Sequence, residues 1–202
     1  LQAFHECRDE IISEYDEEKA TSILVILSLA SSKLIERNSR LVPINYRYGA
    51  PANMLGNNNF AFLWHFGETN LTTGTYSYKS TLEMVIENYE ELVGYVSEVD
   101  SDSVEITNDD AASLSYPDES IDAVVIDPPY GDNVMYAELA DAFYVWLKEY
   151  LQPEFPTQFA PSETNKEDEA VENTEVVDDS GDRSRREVAR ERYENKMSDI
   201  FE

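Results

Sequence analysis

A chain of 202 residues, 42% hydrophobic and 11% aromatic with 13 tyrosines, has material for one α/β core plus an extension and is not a wholly disordered polymer. Its formal charge of -27 and pI near 4.2 argue against nucleic acid, whose phosphates are normally met by Lys and Arg. Two escapes remain: an acidic adaptation to molar salt, or a basic DNA-contacting part outside the chain. The one cysteine, Cys7, excludes an internal disulfide framework and a local multi-cysteine zinc site, no metal is implied, and neither a leader nor a bilayer-length apolar run is visible, which predicts a cytoplasmic protein with no membrane partner.

Residues 1–100 read as a helical, insertion-like region. Ile11, Ile12 and Tyr15 form one stripe, and Ile23, Leu24, Leu27, Leu34 and Ile35 continue it at helical spacing up to Asn38-Ser39-Arg40 and Pro43. An amphipathic pattern that begins almost at Leu1 suggests an internal piece of a longer polypeptide. Gly, Pro and Asn make 47–59 a loop, and the apolar run from Phe60 to Phe66, closed by Gly67, is a strand or a buried turn. Helical spacing returns at Leu82, Val85, Ile86, Tyr89 and Val93.

Residues 101–160 carry the α/β signal. Val104-Glu105-Ile106-Thr107 alternates like a strand, and Pro117-Asp118-Glu119 marks a turn. The β-branched run Ile121-Asp122-Ala123-Val124-Val125-Ile126 then reads as a buried strand. It stops at Asp127-Pro128-Pro129-Tyr130, because proline lacks an amide donor and holds the preceding residue extended. Asp127 is thereby expected at the carboxyl edge of a sheet, where open α/β sheets bind ligands. A helix follows with Leu139, Phe143, Trp146, Leu147 and Leu151. Residues 161–183 are too acidic and too poor in apolar side chains to offset ordering entropy, and are expected to be a disordered insertion. Residues 184–202 suit a final helix with Val188, Tyr193, Met197 and Phe201 on one side.

The four residues 127–130 fit one chemistry well. The exocyclic nitrogen of adenine or cytosine is a weak nucleophile because its lone pair is delocalised into the ring. Asp127 can accept one of its hydrogens and the Pro128 carbonyl the other, since proline keeps its C=O. Pro128 and Pro129 stiffen the loop before substrate arrives, and Tyr130 offers a face on which an extruded base stacks. The structural alternative is a strand-ending Pro-Pro turn with a capping Asp and a core Tyr.

This string is similar to the catalytic motif of DNA amino-methyltransferases that use S-adenosylmethionine. Its continuation Gly131-Asp132-Asn133-Val134-Met135-Tyr136-Ala137-Glu138-Leu139, running on to Phe143-Tyr144-Val145-Trp146-Leu147-Lys148, resembles the large adenine-specific enzymes of archaea and bacteria, often associated with a zinc ribbon and with phage defence. Asn38-Ser39-Arg40-Leu41 and Gly67-Glu68-Thr69-Asn70 resemble them more loosely. The resemblance implies a partial Rossmann-like α/β sheet with a helical insertion, S-adenosyl-L-methionine as cofactor and double-stranded DNA as partner. It gives Asp127, Pro128, Pro129 and Tyr130 the catalytic-loop roles and sets Asp110 beside the cofactor adenine, though Asp110 equally suits an Asx turn or helix cap. Asp132 and Asn133 would orient the loop or touch DNA, or else serve as turn and N-cap residues. Glu68 and Asn70 line the substrate side or a solvated loop, and His5 and His65 lack partner spacing.

One departure limits the resemblance. Such enzymes hold the cofactor's methionine part on a glycine-rich turn, and the 7 glycines here include no pair separated by one residue. The cofactor motif is therefore expected on the remainder of a larger polypeptide or on a partner subunit. Cytosine N4, RNA adenine or a protein amide present the same planar amino group and stay open as substrates. So does a non-catalytic acidic interaction module or degenerate remnant.

Overall fold

The computed structural model describes residues 1–56, 60, 62–132, 134–177 and 183–201. Its elements in chain order are helix α1 (Gln2–Glu14), helix α2 (Glu17–Arg37), strands β1 (Ile44–Asn45) and β2 (Ala50–Pro51), helix α3 (Tyr78–Val96), a 3-10 turn (Ser101–Ser103), helix α4 (Tyr136–Leu151) and helix α5 (Arg185–Phe201). The chain divides into two compact units, Leu1–Glu98 with Glu138–Thr164, and Val99–Ala137 with Asn165–Glu202.

The first unit is built on α2. Asp16 caps it by accepting from the Lys19 amide at 3.0 Å, with Glu17 and Glu18 in the first turn and Arg37 in the last, the charge order a helix dipole favours. Ala20, Leu24 and Ser28 recur every four residues and face inward, and Ser28 satisfies its hydroxyl on the Leu24 carbonyl at 2.7 Å. Leu24 packs with Ile11, Tyr150 and Leu151, and Phe4, Leu147 and Phe155 close around them. Across this core Arg8 clasps Glu154 through two bonds of 2.5 and 3.3 Å.

Beyond α2 the chain makes a small antiparallel hairpin, with Ile44 opposite Pro51 and Asn45 opposite Ala50. Gly49 turns at φ 60°, a conformation glycine adopts at little cost. The hairpin is tied down by Gly67, whose amide donates to Val42 at 2.9 Å. A Cβ at that glycine would lie 3.0 Å from the Pro51 Cβ. Ser77 caps α3, accepting from the Ser80 amide. Only Thr81 of α3 is fully buried, and the helix leaves Tyr89, Leu92 and Val96 exposed.

The second unit has little regular structure besides α5 among the described residues. Val171, Asn173, Val177 and Ala189 are buried there. The acidic stretch expected to be an insertion without order runs through turns and bends over its described part, and residues 178–182 lie outside the described residues. On α5, Val188, Tyr193 and Met197 are half-buried and Phe201 is exposed.

The expected Rossmann-like α/β sheet is not what the chain forms. Among the described residues there are five helices, 46% helix, and a sheet of two antiparallel strands. Residues 104–107 and 121–126 pair with nothing as strands, and Ile106 and Val125 stand 92% and 94% exposed. β-branched runs favour extended backbone, but a ladder needs a neighbour on the hydrogen-bonding side. Between the two runs the chain instead closes local turns, with the Ser113 amide on the Asp110 carbonyl, the Ser120 amide on Pro117, and Glu119 at φ 59°. Asp127 therefore ends an unpaired stretch and not a sheet edge. Of the aromatic run 60–66, residue 61 lies outside the described residues; none of the others forms a strand.

Candidate functional site

The loop at 127–130 is held by four features of the second unit. Tyr130 donates its hydroxyl to Asp127 Oδ1 at 2.5 Å. Next in the chain, Gly131 adopts φ 61° and its carbonyl accepts from the Glu172 amide at 3.1 Å. Tyr193 on α5 donates to the Pro129 carbonyl at 3.0 Å, and Arg186 on the same helix pairs with Asp132 at 3.3 Å in an exposed contact. Together these fix the backbone on both sides of the two prolines.

That geometry divides the acceptors. Pro129 has its carbonyl taken by Tyr193, whereas no hydrogen bond among the described residues engages the carbonyl of Pro128. Asp127 gives one oxygen to Tyr130 and keeps its second for another donor. The hydrogen bond to Asp127, and then the Asp127 charge, push the Tyr130 phenol above the ordinary tyrosine range. Tyr130 thus remains a protonated donor at neutral pH, with its ring 61% exposed.

The start of α4 is organised by the same acidic segment. Glu169 accepts the Ala137 amide at 2.9 Å, a carboxylate at a helix N-terminus where the dipole favours it. Its other oxygen, Oε2, is buried without a hydrogen-bond partner among the described residues. Asn173, itself buried, accepts from the Glu175 amide at 2.9 Å. Ser184 bonds to the Glu187 carboxylate at the start of α5, through its amide and its hydroxyl, at 2.9 Å each. Those two bonds hold the Glu187 carboxyl below its usual range.

The structure brings Asp127, Pro129, Tyr130 and Asp132 of the anticipated residues into one bonded group around Pro128, and Asp110, Glu68 and Asn70 make their contacts elsewhere. Asp110 accepts the Ala112 amide at 3.0 Å, the Asx turn that was its structural alternative. Asn70 likewise closes a local turn on Thr72, and Glu68 and both histidines are exposed. Asn133 lies outside the described residues. Among the described residues no group of three or more His, Cys, Asp or Glu is placed to hold a metal ion, and no helix is long and apolar enough to cross a membrane.

Sequence reasoning missed Tyr193, Glu172 and Glu169 as supports of the loop. They lie tens of residues downstream, Glu172 and Glu169 in a stretch without periodic signal and Tyr193 on a helical stripe that names no partner, so only the three-dimensional contact reveals them. No family model matches this chain, and no curated protein or solved structure matches it either.

Proposed function

We propose that residues 127–130 form the amine-accepting loop of a DNA adenine-N6 methyltransferase. One observation carries the reading: Asp127 is oriented by Tyr130 at 2.5 Å, with the second carboxylate oxygen left to accept. An exocyclic amine hydrogen bonds to that oxygen, and the other hydrogen bonds to the Pro128 carbonyl. Both bonds grow stronger as the nitrogen becomes tetrahedral and positive, so they favour the transition state over the ground state. Loss of an amine proton after attack restores a neutral product, and no strong base is needed beforehand.

S-adenosyl-L-methionine would supply the methyl group, but the residues present do not fit it. The glycine spacing offers no close-approach turn, and one oxygen of the Asp110 carboxylate is already engaged in its own turn. We therefore confine this chain's part to the amine side, and assign the cofactor cradle to another segment or subunit that joins it on double-stranded DNA.

The test combines the chain with such a cofactor-bearing segment, S-adenosylmethionine and DNA at high salt, with modified nucleosides identified by mass spectrometry. N6-methyladenine from the native chain and its loss in Asp127→Ala is the expected pair of results. Product formed at the full rate by Asp127→Ala overturns the reading, and N4-methylcytosine moves it to the other base.

A second reading is favoured by the exposure of Ile106, Val124 and Val125: a non-catalytic acidic module whose unpaired apolar runs contact a partner. Apolar exposure of this kind marks interaction surfaces. Hydrogen exchange separates the two, because the module reading protects residues 104–126 on partner binding whether or not Asp127 is intact.

A further inference from the structure

Charge is distributed very unevenly along this chain. It carries 42 Asp and Glu residues, yet none occurs between Glu36 and Glu68, where Arg37, Arg40 and Arg47 fall. Most other cations of the molecule are matched to carboxylates, as in Arg8 with Glu154, Lys33 with Glu36, Lys79 with Glu83 and Lys196 with Asp168. Among the described residues these three arginines pair with no carboxylate. Each lies over an aromatic ring: Arg37 on Tyr76 at 5.6 Å, Arg40 on Phe66 at 5.8 Å and Arg47 on Tyr48 at 5.4 Å.

The same stretch exposes aromatic rings that a folded surface normally covers. Trp64 and Phe62 are 97% and 91% exposed, and Tyr46 and Tyr48 are also open. The hairpin and the end of α2 form an open pocket of about 470 Å³. Arg37, Tyr48 and Tyr76 line it together with Asn45 and Asn53, and Asn45 Oδ1 accepts from the Arg47 amide at 3.1 Å. The backbone around this pocket is fixed, since Arg37 donates to the Pro51 carbonyl at 3.1 Å and Thr69 bonds to Asn38 through its amide and its hydroxyl.

We infer that this arginine and aromatic surface of the first unit binds single-stranded or locally unpaired nucleic acid. A guanidinium stacked on a ring keeps its edge N–H groups outward for phosphate oxygens. Exposed flat rings stack bases without regard to sequence. The pocket has the size of small-ligand sites, and two side-chain amides are the groups that pair with a base edge. An acidic peptide would satisfy the arginines but leave both the rings and the amides unused. Carboxylates beyond about 8 Å are screened at physiological ionic strength, and of the two that flank the stretch Glu36 is held by Lys33. The inference stands apart from the methyl-transfer reading, because none of its residues belongs to the loop at 127–130.

Fluorescence anisotropy of a labelled single strand of about 12 nucleotides, a length in the range one such surface spans, tests it on the full chain across a salt series. The native chain and Lys79→Gln are expected to bind alike. Arg40→Gln with Arg47→Gln is expected to weaken binding about tenfold or more, and to flatten the logarithmic salt slope by about 1.4, two phosphate contacts' worth. Trp64→Ala is expected to weaken it about tenfold with little change in slope, and both variants to keep the native circular dichroism. Absence of binding, variants that bind like the native chain, or equal competition by the matching duplex or by polyglutamate would overturn the inference.

Discussion

The two units solve opposite problems. The first buries Leu24, Ala30 and Val42 completely around α2, and its local signals, caps and core agree with one another. The second carries the chemically suggestive loop on a thinner interior, and leaves β-branched runs at 104–107 and 121–126 in solvent. The contrast teaches that a reactive-looking motif can be positioned by a few hydrogen bonds, whereas an apolar stretch becomes a strand only when a neighbour completes it.

The largest expected effects lie in the first unit. Leu24→Ala should cost about 2–5 kcal/mol, the range for emptying a well-packed leucine site, while Val125→Ser should stay within about 0.5 kcal/mol as an exposed substitution. Urea unfolding followed by circular dichroism measures both, and similar losses would erase the distinction between the units. Glu154→Ala should cost about 3 kcal/mol, because it strands the poorly exposed Arg8 guanidinium. Gly67→Ala should follow at about 1–3 kcal/mol, since its methyl group meets Pro51.

Smaller effects sharpen the picture of the loop. Tyr193→Phe removes one hydrogen bond to Pro129 and should cost about 1 kcal/mol, read as faster amide exchange at Tyr130 and Gly131 with α2 unaffected. Tyr130 has its folded pKa raised, so its bond contributes fully below the unfolded tyrosine value and is lost as pH rises through the folded one. Burial also raises Tyr78 and Tyr150, so phenolate absorbance should show several late-titrating tyrosines, with one fewer in Tyr130→Phe and one shifted earlier in Asp127→Asn. Glu187 shows the opposite sign. Its folded pKa is depressed, so its contribution at the start of α5 is present above the unfolded carboxyl value and fades as pH falls through the folded one. Carbon NMR of the carboxyl in Ser184→Ala should show it raised only part of the way, because the residue 184 amide, the larger cause, still donates to it.

Helices were readable in advance because their signal is internal. The stripes at Ile11, Leu24 and Leu27, at Leu82 and Ile86, and at Leu139 and Leu151 each fall on an observed helix, and Asp16 and Ser77 cap two of them. The run 121–126 misled because strand propensity does not specify a partner. At the candidate site, Asp127 and Tyr130 were legible together, being three residues apart. The Tyr193 and Glu172 contacts were not, since pairing across that separation leaves no trace in local spacing. Asp110 matched two patterns, and one of its oxygens closes a turn on the nearby Ala112 amide. The arginine and aromatic surface was visible as a gap in the carboxylates, but a composition averaged over the whole chain conceals it.

The claim that Asp127 is the amine acceptor is tested most directly by single-turnover transfer of labelled methyl to DNA adenine, with the cofactor-bearing segment supplied. Loss of one preorganised hydrogen-bonding group at a reacting centre typically costs about 100-fold or more, so Asp127→Ala should be slower by that factor with DNA affinity unchanged. Equal rates in the two proteins would contradict the account.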